Sequence, residues 1–119
     1  MIKIIERSKE FDCNVIGPNS VGVVSPESCL LGMIAGRLDA AKGLFMKGPV
    51  GVMSRSGSGA QAVPGFLTKN GIGQSTVLST GGDPFVGMPW KDLLALFEED
   101  EQTKVVVGFG DIGTTLEED

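Results

Sequence analysis

After residue 49 the chain repeats one local pattern three times: an apolar run, a glycine-rich turn, and then a helix-compatible segment, of which the third, residues 114–119, resembles only a first turn. The apolar runs are residues 50–53, 75–79 and 105–107, and the turns that follow them are residues 54–59, 80–84 and 108–113. Short apolar runs that alternate with helical segments are typical of β-α-β units. Such units form a parallel sheet with right-handed crossovers. The pattern therefore predicts a doubly wound α/β domain.

Two helices are predicted between these strands. Residues 60–69 are followed by Asn70 and Gly71, which are typical of a helix C-terminus. Pro64 inside this segment predicts a kink in the helix or a late start. Residues 90–97 carry apolar side chains at intervals of three and four, which is the spacing of one helix face. Three parallel strands are few for a sheet covered on both faces. We therefore expect an incomplete domain, completed by a partner or by further sequence.

The first 47 residues are patterned more loosely. Residues 2–11 show a weak helical pattern, and residues 15–16 predict a short strand that ends in a Gly-Pro-Asn turn. Residues 21–24 and 30–34 are short apolar pieces without a clear period. Residues 37–47 are expected to form a surface stretch.

Composition excludes several classes of function. The formal charge of -5 leaves no basic field to attract nucleic acid or an anionic bilayer, and every apolar stretch is shorter than the ~20 residues of a membrane span. The chain contains no histidine, so any imidazole base, nucleophile or metal ligand must come from elsewhere. Cys13 and Cys29 match no zinc spacing, and we expect two buried, reduced thiols of an intracellular protein. No metal site is predicted.

The turn at residues 54–59 is the strongest candidate for a binding site. In an open parallel sheet, the loops at the carboxyl ends of the strands gather at one edge, where ligands bind. Gly57 and Gly59 permit close approach of the backbone, and Ser56 or Ser58 can cap the following helix, so the exposed amides favour an anion such as phosphate. A plain strand-to-helix turn with a serine cap explains the same residues equally well. The lysine of a P-loop and the spacing of a dinucleotide motif are both absent.

Charged residues in or near the turns have two interpretations each. Arg55 could pair with the anion or be a solvated turn residue. Asp83 and Asp111 could approach a shared ligand at the same edge, or serve only as turn and capping residues. The acidic residues 117–119 are interpreted as a solvated face.

Four ordered segments, taken together, resemble the α subunit of succinyl-CoA synthetase and the related NDP-forming acyl-CoA ligases. The segments are Gly17-Pro18-Asn19, Ser54-Arg55-Ser56-Gly57, Gly81-Gly82-Asp83-Pro84 and Gly110-Asp111-Ile112-Gly113. The resemblance covers residues 14–118 and implies a flavodoxin-like (Rossmann-like) three-layer α/β/α fold around a parallel sheet. Residues 1–47 would be the end of the CoA-binding domain and a linker. Residues 48–119 would be a partial flavodoxin-like CoA-ligase domain.

The resemblance also implies roles for individual residues. Those expected to bind CoA are Gly17, Pro18, Asn19 and Ser20. Those expected to bind the phosphate of a phosphohistidine are Ser54, Arg55, Ser56, Gly57 and Ser58. Those expected on the substrate side are Gly81, Gly82, Asp83 and Gln61, the last where relatives often have a tyrosine. Asp111 would be catalytic, at a position where the family usually has a glutamate that positions the catalytic histidine.

The reaction implied by the resemblance joins a carboxylic acid to CoA at the expense of ATP or GTP, through an acyl phosphate and a phosphohistidine. The cofactors would be coenzyme A and phosphate, with ATP or GTP on a β-type nucleotide-binding partner subunit or in the missing remainder of the chain. Without the histidine, the isolated chain should not turn over. Exposed strand edges also predict self-association or marginal stability, and the expected location is the cytoplasm, or the mitochondrial matrix in a eukaryote.

Two other interpretations of the sequence stay open. The first is a non-catalytic CoA-ligase-like binding or regulatory module, which the absent histidine and the variant residues Asp111 and Gln61 favour. The second is an unrelated flavodoxin-like domain that binds an anion.

Overall fold

The structure, a computed structural model, describes residues 2–36, 38–113, 115 and 117. Its elements, in chain order, are α1 (Ile2–Glu10), β1 (Gly22–Ser25), β2 (Cys29–Gly32), α2 (Leu38–Leu44), β3 (Lys47–Ser54), α3 (Gly59–Lys69), β4 (Gln74–Ser79), α4 (Trp90–Glu99) and β5 (Val105–Phe109). The three strands and the two helices predicted after residue 49 are all present. The prediction of a helix near the amino terminus is also confirmed.

The strands form one open sheet in the order β2-β1-β4-β3-β5. β3 pairs in parallel with both β4 and β5, as the repeated pattern predicted. β1 pairs antiparallel with β4 and with β2, so a hairpin extends the sheet beyond its parallel part. The hairpin was not predicted because each of its strands has only four residues. A run that short has no measurable period.

Helices cover both faces of the parallel strands. Val52 and Val77 pack against α3, whereas the next residues along the two strands, Met53 and Leu78, pack against α4. Successive strand residues point to opposite faces, so these strands are apolar on both sides and lack alternation. α2 lies beside α3. Phe45, the residue directly after α2, is buried in the core on the α3 side of the sheet. The α/β, flavodoxin-like fold class is thereby confirmed, with a sheet that is parallel in part.

The structure corrects two expectations for individual segments and adds a helix to a third. Residues 15–16 form no strand; the backbone of Val15 packs against Gly87 instead. The stretch at residues 37–47 is mostly exposed where it is described, as expected of a surface segment, and residues 38–44 within it form α2, while Arg37 lies outside the described residues. Cys13 and Cys29 are both exposed and free, since Cys13 follows a helix that buries no side chain and Cys29 lies on the edge strand β2.

The predicted boundary between residues 47 and 48 stays a prediction. β1 comes from the first segment, and it pairs with β4 of the second segment within a single sheet.

α3 begins at Gly59 and continues through Pro64 to Lys69, so the late start predicted for this helix is not found. Over the described ranges, none of the helices has the length and apolar character needed to cross a bilayer.

Candidate functional site

The loops that follow the three parallel strands meet at one edge of the sheet. The Thr80 N–H donates to the Ser54 carbonyl oxygen at 2.8 Å, which joins the loops after β3 and β4. The Arg55 N–H donates to the Phe109 carbonyl oxygen at 3.0 Å, which joins the loops after β3 and β5. The sequence predicted this convergence from the parallel order alone.

Serine side chains shape the turn between β3 and α3. The Ser54 hydroxyl accepts the Ser56 N–H at 3.0 Å and donates to the Ser56 carbonyl oxygen at 2.7 Å. The Ser56 hydroxyl in turn accepts the Gly59 N–H at 3.3 Å. Ser58, directly before the helix, makes no capping bond with its side chain. Of the two serines predicted to cap α3, Ser56 is therefore the one that does so.

At this edge, two backbone N–H groups and one side-chain hydroxyl find no hydrogen-bond partner among the described residues. Within the described residues, the N–H groups of Gly57 and Ser58 donate no hydrogen bond. The Ser79 hydroxyl at the end of β4 is completely buried and also has no partner in this part of the chain. The two amides directly precede α3, where the helix dipole leaves partial positive charge. The argument that buried polar groups are almost always paired applies to the Ser79 hydroxyl; Gly57 is half-buried and Ser58 is exposed. The three atoms are the candidates for bonding water or a ligand.

The two glycines of the turn make room for neighbouring side chains. A Cβ atom on Gly57 would lie 2.6 Å from a methyl group of Val21, and one on Gly59 would lie 2.6 Å from the Phe109 ring. The space at these glycines is therefore used by the protein itself. A ligand is not needed to explain either residue.

Arg55 is a buried connector between loops. Its residue surface is 3% exposed, which excludes the interpretation as a solvated turn residue. Its Nη2 donates to the Asp83 carbonyl oxygen at 2.9 Å, and its Nε lies 3.8 Å from the Glu117 carboxylate. The guanidinium thus links the loops after β3 and β4 to the segment that follows β5.

Glu117 contacts residues of this edge, which the sequence did not predict. We expected a solvated acidic face at residues 117–119, but the Glu117 side chain is only 13% exposed. It also accepts the Asp111 N–H at 2.7 Å. Glu118 and Asp119 lie outside the described residues. No local pattern signals this role, because it depends on the chain returning to Arg55.

The segment at residues 17–20 joins the same edge. The Asn19 amide donates to the Asp83 carboxylate at 3.2 Å, and the Ser20 hydroxyl donates to the Ser79 carbonyl oxygen. A Cβ atom on Gly81 would overlap the Pro18 carbonyl oxygen, so the two loops are packed backbone against backbone. The segment expected to bind CoA therefore lies beside the segment expected on the substrate side.

Gln61 and Asp111 lie near this edge in different settings. The Gln61 amide lies in the first turns of α3, where it bonds the Ala35 N–H and the Gly57 carbonyl oxygen. Asp111 is exposed, and its carboxylate lies 3.6 Å from where a Cβ on Gly82 would be. Together with the loops above, these contacts bring all four segments of the family resemblance to one edge. The roles of the individual residues stay predictions.

Comparison with known proteins assigns the chain to a family. Residues 47–111 match the family described as the succinyl-CoA ligase like flavodoxin domain. This chain belongs to that family. The matched region begins with β3 and ends at Asp111, so this flavodoxin domain contains the three parallel strands and the loops that follow them.

Relatives of this domain are subunits of larger ligases. The chain is 44% identical over 115 residues to subunit alpha 1 of the ADP-forming succinate–CoA ligase of Archaeoglobus fulgidus, covering 97% of this chain and 38% of that protein. It is 35% identical over 119 residues to a subunit of the ADP-forming sulfoacetate–CoA ligase of an Acholeplasma species, covering 100% of this chain and 39% of that protein. The chain thus spans about two fifths of the length of these relatives.

A solved structure has the same fold as this flavodoxin domain and its hairpin. ATP citrate lyase from Methanothrix soehngenii, solved with citrate and coenzyme A, superposes with a TM-score of 0.85 at 23% identity, over 95% of this chain and 19% of that one. Within the described ranges, no group of three or more cysteine, aspartate or glutamate side chains could hold a metal ion.

Proposed function

We propose that this chain is part of the α subunit of an NDP-forming acid–CoA ligase and supplies the loop that binds the transferred phosphoryl group. The relatives named above act on succinate and on sulfoacetate, so the substrate class is a carboxylic acid and the particular acid stays open. Since the chain has no histidine, a phosphohistidine would be carried by residues outside it. ATP or GTP would bind to a β-type partner subunit.

The N–H groups of Gly57 and Ser58, which donate no hydrogen bond within the described part of the chain, carry this proposal. A phosphoryl group has several acceptor oxygens, and amides at a helix N-terminus bind such groups well. The hydroxyls of Ser56 and Ser58 lie 2.9 Å apart and hydrogen-bond to each other, which leaves one of their two O–H groups as a further donor. The buried Ser79 hydroxyl adds a polar atom without a partner among the described residues.

The charges at this edge set the strength of anion binding. Arg55 supplies a buried positive charge, but the Glu117 carboxylate compensates part of it. The carboxylates of Asp83 and Asp111 lie at the same edge and oppose an anion. We therefore expect free phosphate to bind weakly, in the millimolar range, whereas a phosphoryl group attached to a histidine is held in place covalently.

The remaining roles follow the family pattern. Residues 17–20 would run beside coenzyme A, because Asn19 and Ser20 attach this segment to the loop edge. Gly81, Gly82 and Asp83 would lie on the substrate side. Asp111 would position the histidine, although an aspartate is one methylene shorter than the usual glutamate. That shorter reach favours a second candidate function, a non-catalytic module that binds CoA.

Amide NMR titrations of the 119-residue chain test the proposal. Phosphate at constant ionic strength should shift the Gly57 and Ser58 amides first and Ser56 less, since the Ser56 N–H is bonded to Ser54. Arg55→Met should weaken phosphate binding roughly tenfold, as expected when a charged group is lost from the site.

Lys69→Met is the matched control for this titration, because it removes an exposed positive charge at the far end of α3 and should leave phosphate binding unchanged. Uniform shifts along the chain, or equal effects of the two variants, would contradict the loop assignment. If coenzyme A shifts the amide resonances of Asn19 and Ser20 while phosphate shifts no amide resonance, the non-catalytic module is favoured.

A further inference from the structure

The backbone of α3 departs from a regular helix at Gln61. In a regular α-helix, the Gln61 N–H would donate to the Gly57 carbonyl oxygen, four residues earlier. It donates instead to the Ser58 carbonyl oxygen at 3.1 Å. The Gly57 carbonyl oxygen accepts the side-chain Nε2 of Gln61, also at 3.1 Å. The side chain of Gln61 thus replaces the hydrogen bond that its own backbone does not make.

The other atom of the Gln61 amide holds a distant turn. Its Oε1 accepts the Ala35 N–H at 3.2 Å, from a residue 26 positions earlier. Ala35 has a φ of +69°, and the turn around it is closed by a 2.8 Å bond from the Gly36 N–H to the Met33 carbonyl oxygen. An N–H can pair only with the amide oxygen, and a carbonyl only with the amide nitrogen. The two partners therefore fix the orientation of the Gln61 amide.

We propose that Gln61 is a positioning residue that turns the Ser58 N–H toward the anion. The Gly57 carbonyl and the Ser58 N–H belong to one planar peptide unit, and in the trans form they point in opposite directions. By holding the Gly57 carbonyl oxygen, Gln61 directs the Ser58 N–H to the other side. The same amide couples this loop to the turn at residues 33–36. Both polar atoms of Gln61 are used in this way, so its role differs from direct contact with substrate.

The effect on anion binding rests on the proposed function, whereas the orientation of the peptide does not. Gln61→Met keeps the length of the side chain and removes both hydrogen bonds. It should weaken phosphate binding roughly three- to tenfold, as the loss of a supporting hydrogen bond would. It should also shift the Ser58 amide resonance without phosphate and speed hydrogen exchange at the Ala35 amide. Gln102→Met alters an exposed glutamine elsewhere and should change none of these readouts.

Two further variants separate positioning from a general loss of stability. Gln61→Asn keeps the amide but is too short to reach both partners, so it should reproduce the loss of phosphate affinity. Gln74→Met removes a buried glutamine at the opposite end of the sheet and should lower the unfolding midpoint without changing phosphate affinity. A phosphate affinity that falls in Gln74→Met as much as in the Gln61 variants would overturn the positioning role.

The outcomes also distinguish this inference from the proposed function. If the unmodified chain binds phosphate and Gln61→Met binds it equally well, the inference about Gln61 is overturned and the proposed function stands. If the unmodified chain does not bind phosphate, the proposed function fails. The positioning role is then decided by the Ser58 amide resonance without phosphate and by the rate of hydrogen exchange at the Ala35 amide. If both are unchanged in Gln61→Met, the positioning role is overturned. Phosphate-induced shifts that are larger at the Gln61 side-chain amide than at Ser58 would show direct contact and also overturn it.

Discussion

The two ends of the parallel strands differ in how their polar groups are paired. At the amino ends, Gln74 is completely buried, and both atoms of its amide are bonded, the oxygen by the Met46 N–H at 3.2 Å. At the carboxyl ends, the N–H groups of Gly57 and Ser58 and the Ser79 hydroxyl have no partner among the described residues. Gln74 at one end is bonded internally, whereas three polar atoms at the other end are left to bond water or a ligand within the described part of the chain.

The difference has a free-energy consequence. A buried polar group without a partner costs about 1–3 kcal/mol, so folding alone does not favour a Ser79 hydroxyl that is left unpaired among the described residues. The Gly57 and Ser58 amides, in a half-buried and an exposed residue, carry little of this cost. Polar side chains at the amino ends should therefore contribute mainly to the free energy of unfolding. Those at the carboxyl ends should contribute mainly to binding, except where loops are packed tightly against each other.

The largest effect is expected at the interlocked loops of the carboxyl end, where Gly81→Ala should lower the free energy of unfolding by about 3 kcal/mol or more. Gly81 has a φ of +91°, and an added Cβ would overlap the Pro18 carbonyl oxygen. Gly71→Ala is the control, since Gly71 has a φ of +74° but no atom within 4 Å of an added Cβ. It should cost only about 1 kcal/mol. Equal losses in urea unfolding would show that the loops are not interlocked.

Replacement of Gln74 tests the amino ends of the parallel strands. Gln74→Leu leaves the Met46 N–H and the Ile72 carbonyl oxygen without their partner. The free energy of unfolding should fall by about 2 kcal/mol, while the phosphate response at Gly57 is unchanged. Urea unfolding and the NMR titration measure the two quantities, with the exposed Gln102→Leu as control. A loss of phosphate binding in Gln74→Leu would break the comparison between the two ends.

The smallest effect is expected at Asp100, also near the amino ends of the strands. The Thr103 hydroxyl, which donates to the Asp100 carboxylate at 2.7 Å, and then the Gln102 N–H hold the pKa of this carboxyl below its usual value. The interaction stabilises the fold above the unfolded-state pKa of about 3.9 and is lost as pH falls through the lower folded-state pKa.

Asp100→Asn should therefore lower the urea midpoint slightly at neutral pH, and the difference from the unmodified chain should vanish in acid. Glu101→Gln, which alters the exposed neighbouring carboxyl, is the control and should show little effect at either pH. A difference that persists below the folded-state pKa would mean that the carboxylate charge is not its cause.

The sequence predicted most of the parallel core because its signals are local. Each of β3, β4 and β5 is an apolar run followed by a glycine-rich turn, and α4 carries its own helical period. The hairpin of β1 and β2 and the short α2 were missed, since four to seven residues carry too little pattern. Their structure is decided by the neighbours that they pack against.

The predicted convergence of the loops at one edge is confirmed, whereas the contacts among them were not predicted. The order of parallel strands is sufficient to place the loops at residues 54–59, 80–84 and 108–113 at one edge. The pairing of Arg55 with Glu117 and the bond from Ala35 to Gln61 join residues 62 and 26 positions apart. Neither pair leaves a periodic trace in the sequence.

By itself, the sequence determined the parallel strands, the edge at which their loops gather and the family resemblance, because period, turn chemistry and short motifs depend on adjacent residues. Only the tertiary structure decided which polar atoms at that edge are occupied. It buries Arg55 between loops, commits the Gln61 amide to two backbone groups and leaves the Gly57 and Ser58 amides without a described partner. The physical reason is that hydrogen bonds depend on distance and direction in space, which separation along the chain does not specify.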